Sequence, residues 1–173
     1  MTVEIKWPWQ YNFPPFFTIQ PNLETRKKQL EAWKTLILNY FKQTNQYILD
    51  LSDISNLELF NNSSISRSLN RDDVILILDF LTRSENAEAI DKNKNRWYIY
   101  WHSLREWAHI IYSWAQKTNR TNSVLTFYEI RSTPNEEFTE LNEEILSKAL
   151  QLLESQEKAE IILLQDTCGV KIF

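Results

Sequence analysis

The sequence predicts an α+β protein made of two tandem copies of one small domain, each with three helices and a small antiparallel β-sheet. Two observations carry this reading: the chain matches itself at a fixed offset, and both copies run through the same order of hydrophobic periods. Shifted by 74 residues, Leu30, Trp33, Ile37, Thr44 and Asn45 fall on Leu104, Trp107, Ile111, Thr118 and Asn119, and Tyr40 falls on Trp114. A shift of 72 places Leu78, Leu81, Glu85, Ala87, Glu88 and Ile90 on Leu150, Leu153, Glu157, Ala159, Glu160 and Ile162. Self-similarity in the same order over about 75 residues is the mark of a duplicated domain.

The first helix of copy one spans 25–44, where Leu30, Trp33, Ile37, Tyr40 and Phe41 recur on one helical face. Its counterpart spans 103–117, with Ser103 and Glu106 spaced as a capping box. A β-prone run follows in each copy, Tyr47–Leu51 and Ser123–Thr126. A short second helix is expected next, signalled in copy two by a second capping box, Thr126 and Glu129. The third helices are Arg71–Arg83 after Asn70 and Glu143–Ser155 after Asn142, because an Asn side chain accepts a free N–H at a helix start. Each copy closes with a hairpin. Its strands are 87–91 and 96–101 in the first copy, and 159–165 and 170–173 around a turn at 166–169 in the second.

Helix, strand, two helices and a hairpin is the order of a winged helix, so the fold class is two tandem winged-helix domains. The boundaries are 22–102 and 103–173, preceded by a Pro-rich and aromatic segment at 1–21. The seam near His102 lacks a Gly/Ser/Pro-rich linker and is flanked by Trp101 and Trp107, which predicts two packed domains rather than a flexible pair.

Composition excludes several function classes. A single glycine, Gly169, leaves no phosphate-cradling loop. The one cysteine, Cys168, allows neither an internal disulfide nor a Cys-based zinc site, and fits a reducing compartment. No cofactor or metal is expected. Glu106 and His109 stand one helical turn apart, but no second ExxH completes a di-metal site. The opening residues carry charge and Pro in place of a signal peptide's apolar region. With 15 Asn and one Gly, left-handed turn positions should fall to Asn, with Asn86 a candidate. Gly169 should serve a turn in the second wing.

Winged helices often place the third helix in a DNA groove, so nucleic-acid binding is the alternative reading. The charges oppose it. Residues 1–102 carry 12 basic and 12 acidic groups, and residues 103–173 carry 7 and 11. The third helices present Asp72, Asp73 and Asp79, then Glu143, Glu144 and Glu154, which would repel phosphates. The one basic cluster, Lys92, Lys94 and Arg96, lies in a hairpin loop and reads as a solvated turn.

The segment from Trp7 to Phe17 stands apart, with six aromatic rings and three Pro in eleven residues. Pro fixes φ and withholds a donor, so the segment should be extended and display its rings at low entropic cost. The rings either fold back onto the first domain or face a partner. A split is also open, with Trp7 and Trp9 packing inward and Phe16 and Phe17 facing out.

The run Trp7-Pro-Trp9 and Phe13-Pro-Pro-Phe-Phe-Thr-Ile-Gln-Pro-Asn22, with Thr25-Arg26, Gln29-Leu30 and Ala32-Trp33, resembles the vacuolar protein-sorting-associated protein 25 family, the small subunits of the ESCRT-II complex. So do Leu59-Phe60-Asn61, Tyr128-Glu129-Ile130, Lys158–Ile162 and the ending Gly169-Val-Lys-Ile-Phe173. The resemblance implies tandem winged helices, no enzymatic activity and no cofactor. It implies docking of Pro14, Pro15, Phe16 and Phe17, with Trp7 and Trp9 beside them, onto the two larger ESCRT-II subunits. It further implies that the second winged helix recruits and activates an ESCRT-III subunit. The protein would be cytoplasmic and reach the endosomal membrane only through the complex, sorting ubiquitinated cargo into multivesicular bodies. On this reading, Phe16→Ala with Phe17→Ala should abolish assembly and leave the fold intact. The chain departs from the family at turns where relatives carry Gly, reading Ser84-Glu-Asn86, Gln156-Glu157 and Glu140-Leu141, and in a shorter Arg131–Glu137 loop.

Overall fold

The computed structural model describes residues 4–173. The chain divides into two compact units, one ending at Trp101 and one running from His102 to Phe173.

In the first unit α1 spans Leu23–Gln43 and begins at Asn22, whose side-chain oxygen accepts the N–H groups of Glu24 and Thr25. Strand β1 (Ile48–Asp50) follows. Short 3-10 turns and a two-residue pairing, β2 (Asn61–Asn62) with β3 (Arg67–Ser68), lead to α2 (Arg71–Arg83). The wing is β4 (Ala87–Ala89) and β5 (Arg96–Ile99), and the antiparallel sheet has the order β1-β5-β4. The second unit repeats the scheme with α3 (Leu104–Lys117), β6 (Val124–Thr126), α4 (Phe127–Arg131), α5 (Glu143–Ser155), β7 (Ala159–Leu163) and β8 (Cys168–Ile172). Its sheet has the order β6-β8-β7. Both units are winged helices.

The local signals act through hydrogen bonds close in sequence. Both capping boxes form, Ser103 with Glu106 and Thr126 with Glu129. Asn70 accepts from the Asp73 N–H, and Asn142 from Glu144 and Ile145. The duplicated residues Asn45 and Asn119 both end their helices in left-handed conformation, at φ 53° and 55°. Glu85 and Glu157 do the same at 64° and 59°. In all four cases the next residue's N–H reaches back into the helix: Gln46 to Phe41 O, Arg120 to Ala115 O, Asn86 to Leu81 O and Lys158 to Leu153 O. These are Schellman closures.

Four expectations need correction. The second helix of copy one is 3-10 rather than α: it spans Leu51–Asn56, with a further turn at Glu58–Phe60, and Asp53 leaves helical geometry at φ −114°. The cause is local: Asp50, the N-cap that matches Thr126, is followed by Asp53 where copy two has Glu129, and no capping box forms. Instead Asp50 captures the Ser52 N–H, and Asn56 donates to Asp53. Secondly, the left-handed residue at the first wing is Glu85, not Asn86, because the Asn86 N–H closes the helix and its side chain donates to Tyr100 O at 2.9 Å.

Thirdly, Gly169 lies within β8, paired with Thr126 and Ile162, and its φ is not positive. Its use is close packing: a Cβ there would meet Val124 Cγ1 at 3.1 Å, Leu125 O at 3.2 Å and Leu164 Cδ1 at 3.3 Å. Fourthly, the Pro-rich segment is not extended. It forms two 3-10 turns, Trp9–Asn12 and Pro14–Phe17, linked by extended Phe13. Pro14 and Pro15 fit a helical first turn because the N–H they lack would be unsatisfied there.

Candidate functional site

The turn at Pro14–Phe17 closes through the Phe16 N–H on Phe13 O at 2.9 Å and the Thr18 N–H on Pro15 O at 3.2 Å. This directs the two prolines outward and the two phenylalanines inward. Phe16 and Phe17 are 4% and 3% exposed. Phe16 stacks on Trp33 of α1 with ring centroids 4.1 Å apart and planes 2° from parallel, and Phe17 meets the same indole edge-on at 5.4 Å. The indole N–H of Trp33 donates to Phe16 O at 2.9 Å, and Gln29 Nε2 donates to Phe16 O and Thr18 O at 3.0 and 2.8 Å. Gln29 in turn accepts the Gln20 N–H at 3.0 Å. A buried polar side chain one turn before Trp33 thus satisfies the backbone that the Pro-rich segment leaves without partners.

The first turn of the segment is held from the other side. The Tyr11 hydroxyl donates to Glu58 O at 2.6 Å, and Asn62 Nδ2 donates to Tyr11 O at 2.6 Å. Burial, with the Glu58 carboxylate and Tyr40 behind it, pushes the Tyr11 phenol up to about 12. Burial also raises Tyr40, with Glu58 contributing. Trp7 stacks on Tyr11 at 3.9 Å and reaches Tyr40 at 6.1 Å.

The segment therefore sorts its rings, but not in the expected split. Trp7 packs inward, Trp9 is 70% exposed, and Phe16 and Phe17 are core. Phe13 is 48% exposed and lies 5.6 Å from Trp9. The reason for the reversal is that Trp33 offers both a face and an edge at the point where the 3-10 turn delivers two consecutive rings. Double truncation of Phe16 and Phe17 thus removes core and cannot leave the first domain intact. What the segment presents to solvent is Trp9, Asn12, Phe13, Pro14 and Pro15. Trp9, Phe13, Pro15, Lys28 and Ala32 line a groove of about 610 Å³ along α1. Reading the sequence alone missed Phe13 as a site residue, and missed Gln29. A polar side chain on the apolar face of α1 was the available signal for Gln29.

The other candidate groups are distributed elsewhere. Glu106 faces His102, 3.1 Å from Nδ1, rather than His109, and Glu137 takes the other ring nitrogen. His109 stands 3.5 Å from the Ser113 hydroxyl. The first wing's basic loop is tied to α2: Lys94 pairs with Asp79 at 3.0 Å, and Arg71 donates to Asn93 O and Asn95 Oδ1. Among the described residues no group of three or more His, Cys, Asp or Glu could hold a metal ion, and no helix is long and apolar enough to cross a membrane.

Comparison with known proteins places this arrangement. The model of the family described as ESCRT-II complex subunit matches residues 10–162. The chain is 48% identical over 171 residues to vacuolar protein-sorting-associated protein 25 of Xenopus laevis, covering 97% of this chain and 98% of that one. It is 41% identical over 176 residues to the protein of the same name from Homo sapiens, with both chains fully covered. Among solved structures it matches subunit VPS25 of the endosomal trafficking complex ESCRT-II at 30% identity and a TM-score of 0.83, over 95% of this chain and 99% of that one. It also matches a chain of the endosomal complex ESCRT-II (VPS22/VPS25/VPS36) at 29% identity and a TM-score of 0.81, over 95% and 98%.

Proposed function

Because the chain belongs to the family of ESCRT-II complex subunits, we propose that it is a non-enzymatic adaptor of ESCRT-II in endosomal trafficking. It sorts ubiquitinated membrane cargo toward multivesicular bodies, works in the cytoplasm and reaches the endosomal membrane through its complex. Its N-terminal segment docks onto the two larger subunits, the counterparts of VPS22 and VPS36 in the solved complex. The observation that carries this is the division of labour in the segment. Pro14, Pro15, Trp9 and Phe13 face out above a groove, while Phe16, Phe17 and Trp7 fix them to α1. Pre-setting the rings on a folded surface lowers the ordering cost of binding, which favours this region as a docking face. Phe16 and Phe17 remain part of the docking unit as positioning residues.

The second domain recruits and activates an ESCRT-III subunit. Its acidic excess and its exposed Val124, Tyr128, Leu163 and Leu164 support an amphipathic, basic partner helix. The test is co-purification of the full chain with the two larger subunits. Trp9→Ala with Phe13→Ala should weaken assembly by about 30-fold or more, as loss of an anchor ring of about 2 kcal/mol implies, while the melting of the isolated chain stays unchanged. Undiminished assembly would overturn the docking assignment.

A further inference from the structure

The two wings end in edge strands of different length. In the first sheet the edge is β4, only Ala87–Ala89. In the second it is β7, five residues long, running Ala159-Glu-Ile-Ile-Leu163 and followed by Leu164. Alternate N–H groups of an edge strand point away from the sheet. A row of such groups beside apolar side chains is a template for another strand. Here Leu163 is 83% exposed and Leu164 is exposed, with Ile161 and Ile162 half-buried beside them. The run has the apolar, proline-free character of strand-adding segments.

One outward N–H of β7 is already occupied. The Ile161 amide donates to Glu154 Oε2 at 2.7 Å, from a side chain in the last turn of α5. The first copy supplies an internal control. The residue 72 positions before Glu154 is Thr82, whose hydroxyl turns back to Leu78 O at 2.9 Å, and the strand it would guard stops at Ala89. The carboxylate is present where the edge is long and apolar, and absent where the edge is short.

We propose that the Glu154 carboxylate is a gate on the β7 edge: by holding the Ile161 amide it closes a strand-addition surface whose occupant, once open, is β7 of a second copy of this chain. The sequence of β7 is self-complementary in that arrangement. Antiparallel pairing centred on Ile161 sets Glu160 opposite Ile162, Ala159 opposite Leu163 and Lys158 opposite Leu164, so no like charges meet. The central pair would exchange both backbone bonds across a two-fold axis, using the same amide that Glu154 now holds. This surface does not involve the aromatic segment, so its failure leaves the proposed docking onto the larger subunits untouched; it shares Leu163 and Leu164 with the proposed ESCRT-III face, which the Ile161 amide exchange does not report on.

The test uses the full chain in four forms: parent, E154A, E154Q and E154A with L163K. Exchange of the Ile161 amide should be about tenfold faster in E154A than in the parent, as expected for loss of one hydrogen bond. Sedimentation over a concentration series should show E154A forming a reversible dimer at concentrations where the parent does not. E154Q keeps an acceptor oxygen and should behave as the parent. Adding L163K should return E154A to the parent's association state, with its helical circular dichroism unchanged. Parent-like exchange or parent-like association in E154A overturns the gate. So does an E154Q chain that associates like E154A, or an E154A dimer that survives L163K.

Discussion

Trp33 and Trp107 occupy the same place in two copies of one domain, both are fully buried, and they are covered by different means. Trp33 is roofed by Phe16 and Phe17, which come from outside the repeat, and its N–H is satisfied by Phe16 O. In the second domain His102 meets Trp107 edge-on at 4.9 Å, and the buried Phe138 packs on Trp114 at 5.1 Å. A duplicated sequence therefore repeats the helices and their ends but not the lid. The first copy draws its lid from the N-terminal aromatic segment, so its stability and the presentation of Trp9 and Phe13 depend on the same rings.

The largest test of this difference is Phe16→Ala, alone or with Phe17→Ala. Each truncation should cost about 3–5 kcal/mol, enough to unfold the first domain while the second keeps its own transition. Denaturant unfolding followed by domain-resolved hydrogen exchange reads this out. Equal loss of protection in both domains would break the comparison.

Next is alkaline stability. Tyr11, Tyr40 and Tyr100 belong to the first domain, and all are held above the usual phenol range, Tyr100 by burial and by its bond to Glu88. Above pH ~10 the folded state thus binds more protons than the unfolded one. The stabilisation is complete below that pH and is lost as pH rises through about 12 for Tyr11. An alkaline titration should unfold the first domain, and Tyr11→Phe should flatten the dependence. An unchanged slope in that variant would refute the assignment.

The smallest effect concerns the helix ends, where the copies agree. Glu85→Gly and Glu157→Gly should each stabilise their domain by about 1 kcal/mol, since Gly adopts the left-handed conformation without the Cβ penalty. Matched shifts in midpoint are expected. A large inequality would show that the two closures differ in strain.

Much of this architecture was legible because its causes are short-range. A capping box needs only Ser103 and Glu106, or Thr126 and Glu129. A Schellman closure needs one residue able to turn left-handed, and an Asn supplies it at Asn45 and Asn119, but Glu85 takes the position expected of Asn86. The same reasoning accounts for the 3-10 geometry in copy one once Asp53 is set against Glu129. It failed at Gly169, whose reason is the approach of Val124 and Leu164 from other segments. It failed also at Phe16 and Phe17, because a 3-10 turn and an indole 16 or 17 positions away decide which rings face in.

By itself the sequence determined the duplication, the winged-helix order and the capped helix starts. Apolar period and capping chemistry act within one helical turn, so they are written in neighbouring residues. Only the tertiary structure decided which rings of the aromatic segment are core and which are free to meet a partner. That choice depends on which surface each ring can cover, and Trp33, Gln29 and Asn62 supply that surface from far along the chain.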